Sequence, residues 1–383
     1  MPLSLKNAST GKVLLQMMAS KTTHYPTRKA LNEALEEAYD ASLTSGVSLF
    51  YDQVELKFQL RFVHPQHLND DKYEALLMTI FKEVLDHPLF DQTLCDQEKS
   101  FILDDILTKE SQKSYLASSM LTDTLLEGHP YYLSTKDEKA SIEAVRLEDV
   151  KALYQDMMNA PRVMTVTGDV NEETLKRWMT HLNLQKNHRY TPSPILKNPV
   201  IKKPDFTHRT PMHQVYRYLV YDTKIYRDDP SYPAFQVFTH ILGGDSDSIL
   251  FKRIRETHSM AYSVNAIPSI KYGLLIIQGS IDPAKDALFD DEVTHILDEL
   301  KTDGVNEETL TLAKQSIQER LKRNSDSAGV LTKRALSHYF FNDPFEIHEA
   351  LKDIENVTNE DIKVMARQLS SVYAFKYGGS DEA

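Results

Sequence analysis

Ile142-Glu143-Ala144-Val145-Arg146-Leu147-Glu148-Asp149-Val150-Lys151 returns, little altered, as Ile354-Glu355-Asn356-Val357-Thr358-Asn359-Glu360-Asp361-Ile362-Lys363, displaced by 212 positions. The flanks agree: Pro130-Tyr131 answers to Pro344-Phe345 at a displacement of 214, and Thr93-Leu94 to Thr309-Leu310 at 216. Duplication followed by small loop insertions leaves such a drifting, nearly constant displacement. The 383-residue chain therefore reads as two copies of one domain, 1–185 and 212–383. The linker between them, 186–211, carries Pro192, Pro194, Pro199, Pro204 and Pro211 among Lys, Asn and Thr.

Working outward from the repeat, the first copy opens with an apolar run, Val13 to Ala19, that the preceding Ser9-Thr10-Gly11 would start as a helix. Pro26 opens a second helix through Leu31, Leu35 and Ala38. At Gln53 the period falls to two: Val54, Leu56, Phe58, Leu60 and Phe62 alternate with polar residues, as in a strand with one buried face. Helical stretches follow at 70–85, 91–109, 114–126 and 147–158, then an apolar strand at 163–168 and a helix from Asn171. The second copy restarts with a strand at 215–221 and keeps the same alternation of strands and helices. The order predicts an α+β fold, two tandem homologous domains in which helices cover an antiparallel sheet.

Composition narrows the functions. A net charge of −12 argues against nucleic acid as the main partner while leaving room for a local basic patch, and no run approaches the length of a membrane span. Cys95 is the only cysteine, so no intrachain disulfide forms, and it reads as a small buried helix residue. No basic leader followed by an apolar stretch opens the chain, and a cytoplasmic location is expected. His64-Pro65-Gln66-His67 has metal-like spacing but no nearby acid partner, so it reads as solvated. Gly243-Gly244 lacks the Lys-Ser/Thr of a phosphate loop and reads as a helix stop and turn.

Two segments carry a family resemblance. Gly243-Gly244-Asp245-Ser246-Asp247-Ser248-Ile249-Leu250-Phe251-Lys252-Arg253-Ile254-Arg255-Glu256-Thr257-His258-Ser259-Met260-Ala261-Tyr262-Ser263-Val264 is similar to the second-half segment of the M16 metallopeptidases, the insulinase, pitrilysin and mitochondrial-processing-peptidase group. Gln97-Glu98-Lys99 through Asp104-Asp105-Ile106 resembles the segment that supplies that family's third zinc ligand. The resemblance covers nearly the whole chain and implies the two-domain fold of the LuxS and processing-peptidase metallohydrolases. Family members place about two strands before the motif helix, whereas twelve residues precede Val13 here; either the true start lies further upstream, or the first domain has lost those strands, which would leave an exposed sheet edge.

In the family an H-x-x-E-H motif binds Zn²⁺ through its two histidines, and its glutamate activates water. Aligned by Met17-Met18-Ala19-Ser20-Lys21-Thr22-Thr23 and Tyr25-Pro26, the five motif positions fall on Val13, Leu14, Leu15, Gln16 and Met17, with Asp105 at the third ligand position. Val13 has no lone pair, Met17 is a soft thioether, and Gln16 cannot take a proton from metal-bound water. Hence no zinc or other cofactor is expected in this chain. Asp105 and Glu98 then read as residues of a solvated helix face.

By resemblance Arg255 and Tyr262 bind substrate and stabilise the tetrahedral oxyanion, as donors suited to developing negative charge. The competing readings are a surface ion pair for Arg255 and an ordinary strand position for Tyr262. A chain with half a site fits M16 machines made of a zinc-bearing and a degenerate subunit. Among bacterial forms it resembles the zinc-lacking YmfF-type, which implies a zinc-bearing YmfH-type partner in a heterodimer and a peptide substrate. The alternative is an inactive scaffold that binds a peptide or protein, alone or as a homodimer.

Overall fold

A computed structural model describes residues 1–70, 72–184, 196–197, 200, 202–341 and 346–379. Pro344-Phe345 and half of the anticipated linker, 186–195, 198–199 and 201, lie outside the described residues. The first run of chain forms α1 (Leu5–Met18), α2 (Arg28–Glu37), β1 (Ser42–Phe50), β2 (Gln53–Arg61), α3 (Tyr73–Asp86), α4 (Gln92–Glu110), α5 (Lys113–Leu125), α6 (Glu138–Glu143), α7 (Leu147–Asn159) and α8 (Glu172–His181). The second forms β3 (Phe206–His208), β4 (Val215–Asp222), α9 (Tyr232–Gly243), β5 (Ala261–Ser269), β6 (Leu274–Ile281), α10 (Asp286–Thr302), α11 (Glu307–Arg323), α12 (Ala328–Phe341), α13 (Ile347–Glu355), α14 (Asn359–Gln368) and β7 (Ser370–Tyr377).

The chain divides into two compact units. One comprises Met1–Gln112, Pro130–Pro194 and Leu331–Asn342; the other comprises Lys113–His129, Ile195–Val330 and Asp343–Ala383. Each unit thus takes one helix from the other's run of sequence: α5 packs on β4 and β7 of the second unit, and most of α12 belongs to the first. There Phe340 and Phe341 meet Phe50 with ring centroids 4.6 and 5.1 Å apart.

The repeat is visible in contacts as well as in sequence. Ile142 and Ile354, Val145 and Val357, Val150 and Ile362 are all buried at matching places. Lys99 Nζ donates to the carbonyl of Glu143 at 2.8 Å in one unit, and Lys314 Nζ donates to the carbonyl of Glu355 at 2.8 Å in the other. Each lysine meets the free carbonyls at a helix C-terminus, where a cation is favoured. The helix that follows opens in both copies with an aspartate at its third position: the Asp149 carboxylate accepts from the Arg146 amide, and the Asp361 carboxylate from the Thr358 amide.

The sheets differ. In the second unit the strand order is β3-β7-β4-β6-β5, with β3 parallel to β7 and the remaining pairs antiparallel. In the first unit, among the described residues, the sheet is the β1-β2 hairpin alone. The strand expected at 163–168 does not form; Val163 and Val166 are 40% and 37% exposed. Its counterpart in the repeat is β7, which is held between β3 and β4, and no described strand of the first unit stands where β4 stands in the second. Without a neighbour the backbone has nothing to pair with, and β-propensity alone does not hold a strand.

Other expectations shift in detail. α1 starts at Leu5, four residues before the anticipated cap, because the Ser4 hydroxyl accepts from the Asn7 amide. Thr27 rather than Pro26 caps α2. β1 precedes the strand read from the sequence at Gln53 and pairs with it. Its alternation is broken by Ser45 and Gly46, and the left-handed Tyr51 turns it into β2.

Candidate functional site

In the first unit, α1 presents the five motif positions to two environments. Val13, Leu14, Leu15 and Met17 are 0–1% exposed, and Val13, Leu14 and Met17 belong to the apolar core with Leu77, Leu94 and Trp178. Gln16 faces solvent. A hydrocarbon and a thioether packed in a core are not zinc ligands, so the residues here do not fit the metal of the H-x-x-E-H motif. Asp105 stands on the outside of α4, its side chain 60% exposed and paired with Lys109 one turn on at 2.5 Å.

Glu98 departs from the expectation of a solvated face. Two turns before Asp105 on the same helix, it is 1% exposed. One carboxylate oxygen accepts from Ser20 Oγ at 2.6 Å and from Arg28 Nη2 at 2.6 Å, and the guanidinium also donates to Ser20 Oγ at 2.7 Å. Arg28 stacks over the Phe101 ring, 5.5 Å from its centroid. This closed Ser20-Arg28-Glu98 triangle ties the end of α1 and the start of α2 to α4, a structural task for a buried charge. The sequence signal for it was present, since Leu94, Glu98 and Ile106 share the inner stripe of α4, but an acid on an apolar stripe reads at first as an interruption. Cys95 is fully buried beside it, and burial pushes its thiol pKa up, so it is an inert core residue.

In the second unit Arg255 and Tyr262 sit on two local irregularities. Phe251–Thr257 winds as a π-helix, a rare form enriched at functional sites. Arg255 lies on its exposed side, the guanidinium 4.7 Å from the Phe251 ring centroid. Tyr262 is the extra residue of a β-bulge: Ala261 pairs with Ile281 and Ser263 with Ser280, leaving Tyr262 between them. Bulges re-aim side chains, and Tyr262 is 63% exposed although its neighbours Met260 and Ala261 are buried. Neither the π-turn nor the bulge is legible in the sequence, because each is a one-residue misfit between helix or ladder and the packing around it.

The turn between these residues is pinned. Ser259 takes a left-handed φ of 47°. Lys285 Nζ donates to the carbonyls of His258 and Ser259 at 3.2 and 2.9 Å, and the Met260 carbonyl accepts from the Asp282 amide at 3.1 Å. Upstream, Gly243 ends α9 against the sheet; a Cβ there would lie 2.5 Å from the Ala266 amide nitrogen. The glycine is therefore required for close approach of helix to strand, and neither Gly243 nor Gly244 has the left-handed φ of a turn glycine. His240 Nε2 reaches Asp245 Oδ2 at 3.3 Å in the following loop. Burial holds its imidazole pKa below the ordinary value, against the opposing pull of Asp245. His64, by contrast, has a hydrogen-bond partner, its Nε2 2.7 Å from the Asp169 carbonyl oxygen.

Residues 144–317 match the family described as the peptidase M16 inactive domain. The chain is 24% identical over 98% of its length, and 90% of the relative's, to a Bacillus subtilis protein described as a probable inactive metalloprotease, YmfF. It is 28% identical over half its length, and 45% of the relative's, to a Helicobacter pylori protein described as the non-peptidase homologue YmxG. A conserved protein from Enterococcus faecalis shares the fold with a TM-score of 0.87 at 23% identity, covering 100% of this chain and 92% of that one. A Pseudomonas fluorescens M16 inactive domain does so with a TM-score of 0.75 at 17% identity over 98% and 89%. Among the described residues no helix is long and apolar enough to cross a membrane.

Proposed function

We infer that this chain is the non-zinc subunit of a two-chain M16-type peptidase, placing Arg255 and Tyr262 beside a peptide whose scissile bond is attacked at the zinc of a partner chain. The observation that carries the reading is the contrast between the two half-sites. The two histidine positions, Val13 and Met17, lie in the core, whereas the donor pair is exposed, on a π-turn and a bulge held by Lys285 and Gly243. Conformations that cost energy persist where something uses them. In the complex the guanidinium and the phenol would hydrogen-bond the oxygen of the tetrahedral intermediate, and catalysis would come from their fit to charge that develops in the transition state.

The B. subtilis and H. pylori relatives described as inactive or non-peptidase support the absence of hydrolysis by this chain alone. The test is to purify the tagged chain from its own cells and assay a quenched peptide library with and without chelator. Co-purification of an H-x-x-E-H chain with chelator-sensitive cleavage supports the reading; cleavage by this chain alone refutes it. An inactive peptide-binding scaffold is favoured by one observation, the engagement of Arg255 by its own Phe251 ring. That reading gains if Arg255→Ala weakens peptide binding and no cleaving complex can be isolated.

A further inference from the structure

The π-turn that carries Arg255 is held to α10 by a second arginine. At its C-terminal end the His258 amide donates to the Arg253 carbonyl at 3.1 Å, five residues back, which is the spacing of a π-winding. Arg253 also lays its guanidinium on α10: Nη1 donates to Glu299 Oε2, and Nη2 stands 2.6 Å from Glu292 Oε1. Glu292 and Glu299 lie two turns apart on one face of that helix, so a planar guanidinium meets both at once. Two histidines flank the same carboxylates, His295 Nε2 at 2.9 Å from Glu299 Oε1 and His258 Nε2 at 3.9 Å from Glu292 Oε1. Arg253 is the member of the cluster whose positive charge does not depend on pH.

Arg253 is half-buried in this contact, whereas Arg255, two residues on, is exposed and rests on the Phe251 ring. A π-winding is rare, and a strained backbone persists where its surroundings hold it. Lys285 holds the end of the segment through the His258 and Ser259 carbonyls, and Arg253 holds its middle. Rewinding as α-helix would move the residues beyond by one place, about 100° around the axis.

We propose that Arg253 is the positioning residue of this half-site: its grip on Glu292 and Glu299 keeps the segment in its π-winding and so keeps Arg255 on the outer side, over Phe251. For its part in turnover the inference rests on the reading of Arg255 as a substrate-binding group; for its part in the turn it rests on the contacts to α10 alone. Lysine does not replace Arg253, because an ammonium is a point charge that meets one carboxylate at a time. Arg253 itself touches no substrate and acts through Arg255.

The experiment compares the full chain with Arg253→Met, Arg253→Lys and the double variant Glu292→Gln with Glu299→Gln. If Arg253→Met does not fold, Arg253→Lys, which keeps the charge, serves in its place. Isotope-labelled arginine gives the Arg255 Nε–H resonance, assigned from its loss in Arg255→Lys and shifted upfield by the face of the Phe251 ring; amide exchange reads the His258 bond. In each variant the resonance should move to the position of a solvated arginine, and the His258 amide should exchange about tenfold faster or more. Adding Arg253→Met to the double variant should change nothing further, since the three side chains act as a unit. A lowered urea midpoint with both signatures unchanged would mark a merely stabilising ion pair and overturn the proposal. In a cleaving complex Arg253→Met should lower kcat about 10²-fold with KM little changed, as expected for a misplaced transition-state contact. Unchanged kcat, where Arg255→Ala lowers it, would also overturn the proposal. A complex whose turnover survives Arg255→Ala contradicts instead the role given to Arg255, and the two signatures still decide whether Arg253 positions it.

Discussion

Single side chains on each unit set the terms of stability and of chemistry. Gly243→Ala drives a methyl group against the Ala266 backbone, an overpacking that costs about 1–3 kcal/mol, and urea denaturation of the variant should show it as a lowered midpoint. Arg28→Met leaves the Glu98 carboxylate buried without its cation, at a cost of about 1–3 kcal/mol. Glu98→Gln, which keeps an acceptor for Ser20, should cost less. If both variants melt with the parent, the triangle of Ser20, Arg28 and Glu98 is not a stabilising unit. His240 sets a pH dependence whose sign follows from burial. Its folded pKa lies below that of the unfolded chain, so the unfolded state binds more protons as the pH falls through and below about 6.5. The stability that neutral His240 contributes is therefore complete above that pH and is lost on acidification. Thermal melts at about pH 7 and about pH 5 should differ more for the parent than for His240→Gln, the window being that of an ordinary histidine moved downward.

At the scale of elements, the two halves of the repeat differ in whether the sheet is closed around its middle strand. The segment 161–167, unpaired and bearing exposed Val163 and Val166, should be nicked by a protease before β7, its counterpart; cleavage first within β7 would contradict that. The helices were largely legible because several, such as α2, α8 and α13, have an apolar stripe of period 3.6 and several have a side-chain cap: Asp91 before α4, Asn171 before α8 and Asn306 before α11. β2 was legible from strict alternation. β1 was not, since Ser45 and Gly46 break its pattern, and 163–168 was read as a strand on local sequence that lacks the partner to make it one. Strand pairing is decided by residues far away in sequence, whereas a helix satisfies its own backbone. The half-site was legible only as residue types; the π-turn under Arg255 and the bulge under Tyr262 depend on packing against α10 and β6, which no local pattern states.

For the whole molecule, a two-stranded sheet in one unit and a five-stranded sheet in the other, among the described residues, should separate their stabilities. Trp178, the single tryptophan, is buried in the first unit and donates to Glu74 at 2.9 Å, so its fluorescence reports that unit alone. In urea its transition should precede the far-ultraviolet circular-dichroism transition; coincident curves would mean that the units unfold as one. Phe341→Ala, in a helix that comes from the second run of sequence but belongs to the first unit, should shift the tryptophan transition by about 1–2 kcal/mol and leave the later phase in place. The central claim is that this chain lends Arg255 and Tyr262 to another chain's zinc chemistry. The measurement that tests it most directly is peptide cleavage by the complex isolated with this chain, using the parent, Arg255→Ala and Tyr262→Phe. Turnover by the complex that is abolished by chelator, absent from this chain alone and lowered about 10²-fold or more by Arg255→Ala is the expected result. Full turnover with both substitutions in place would contradict it.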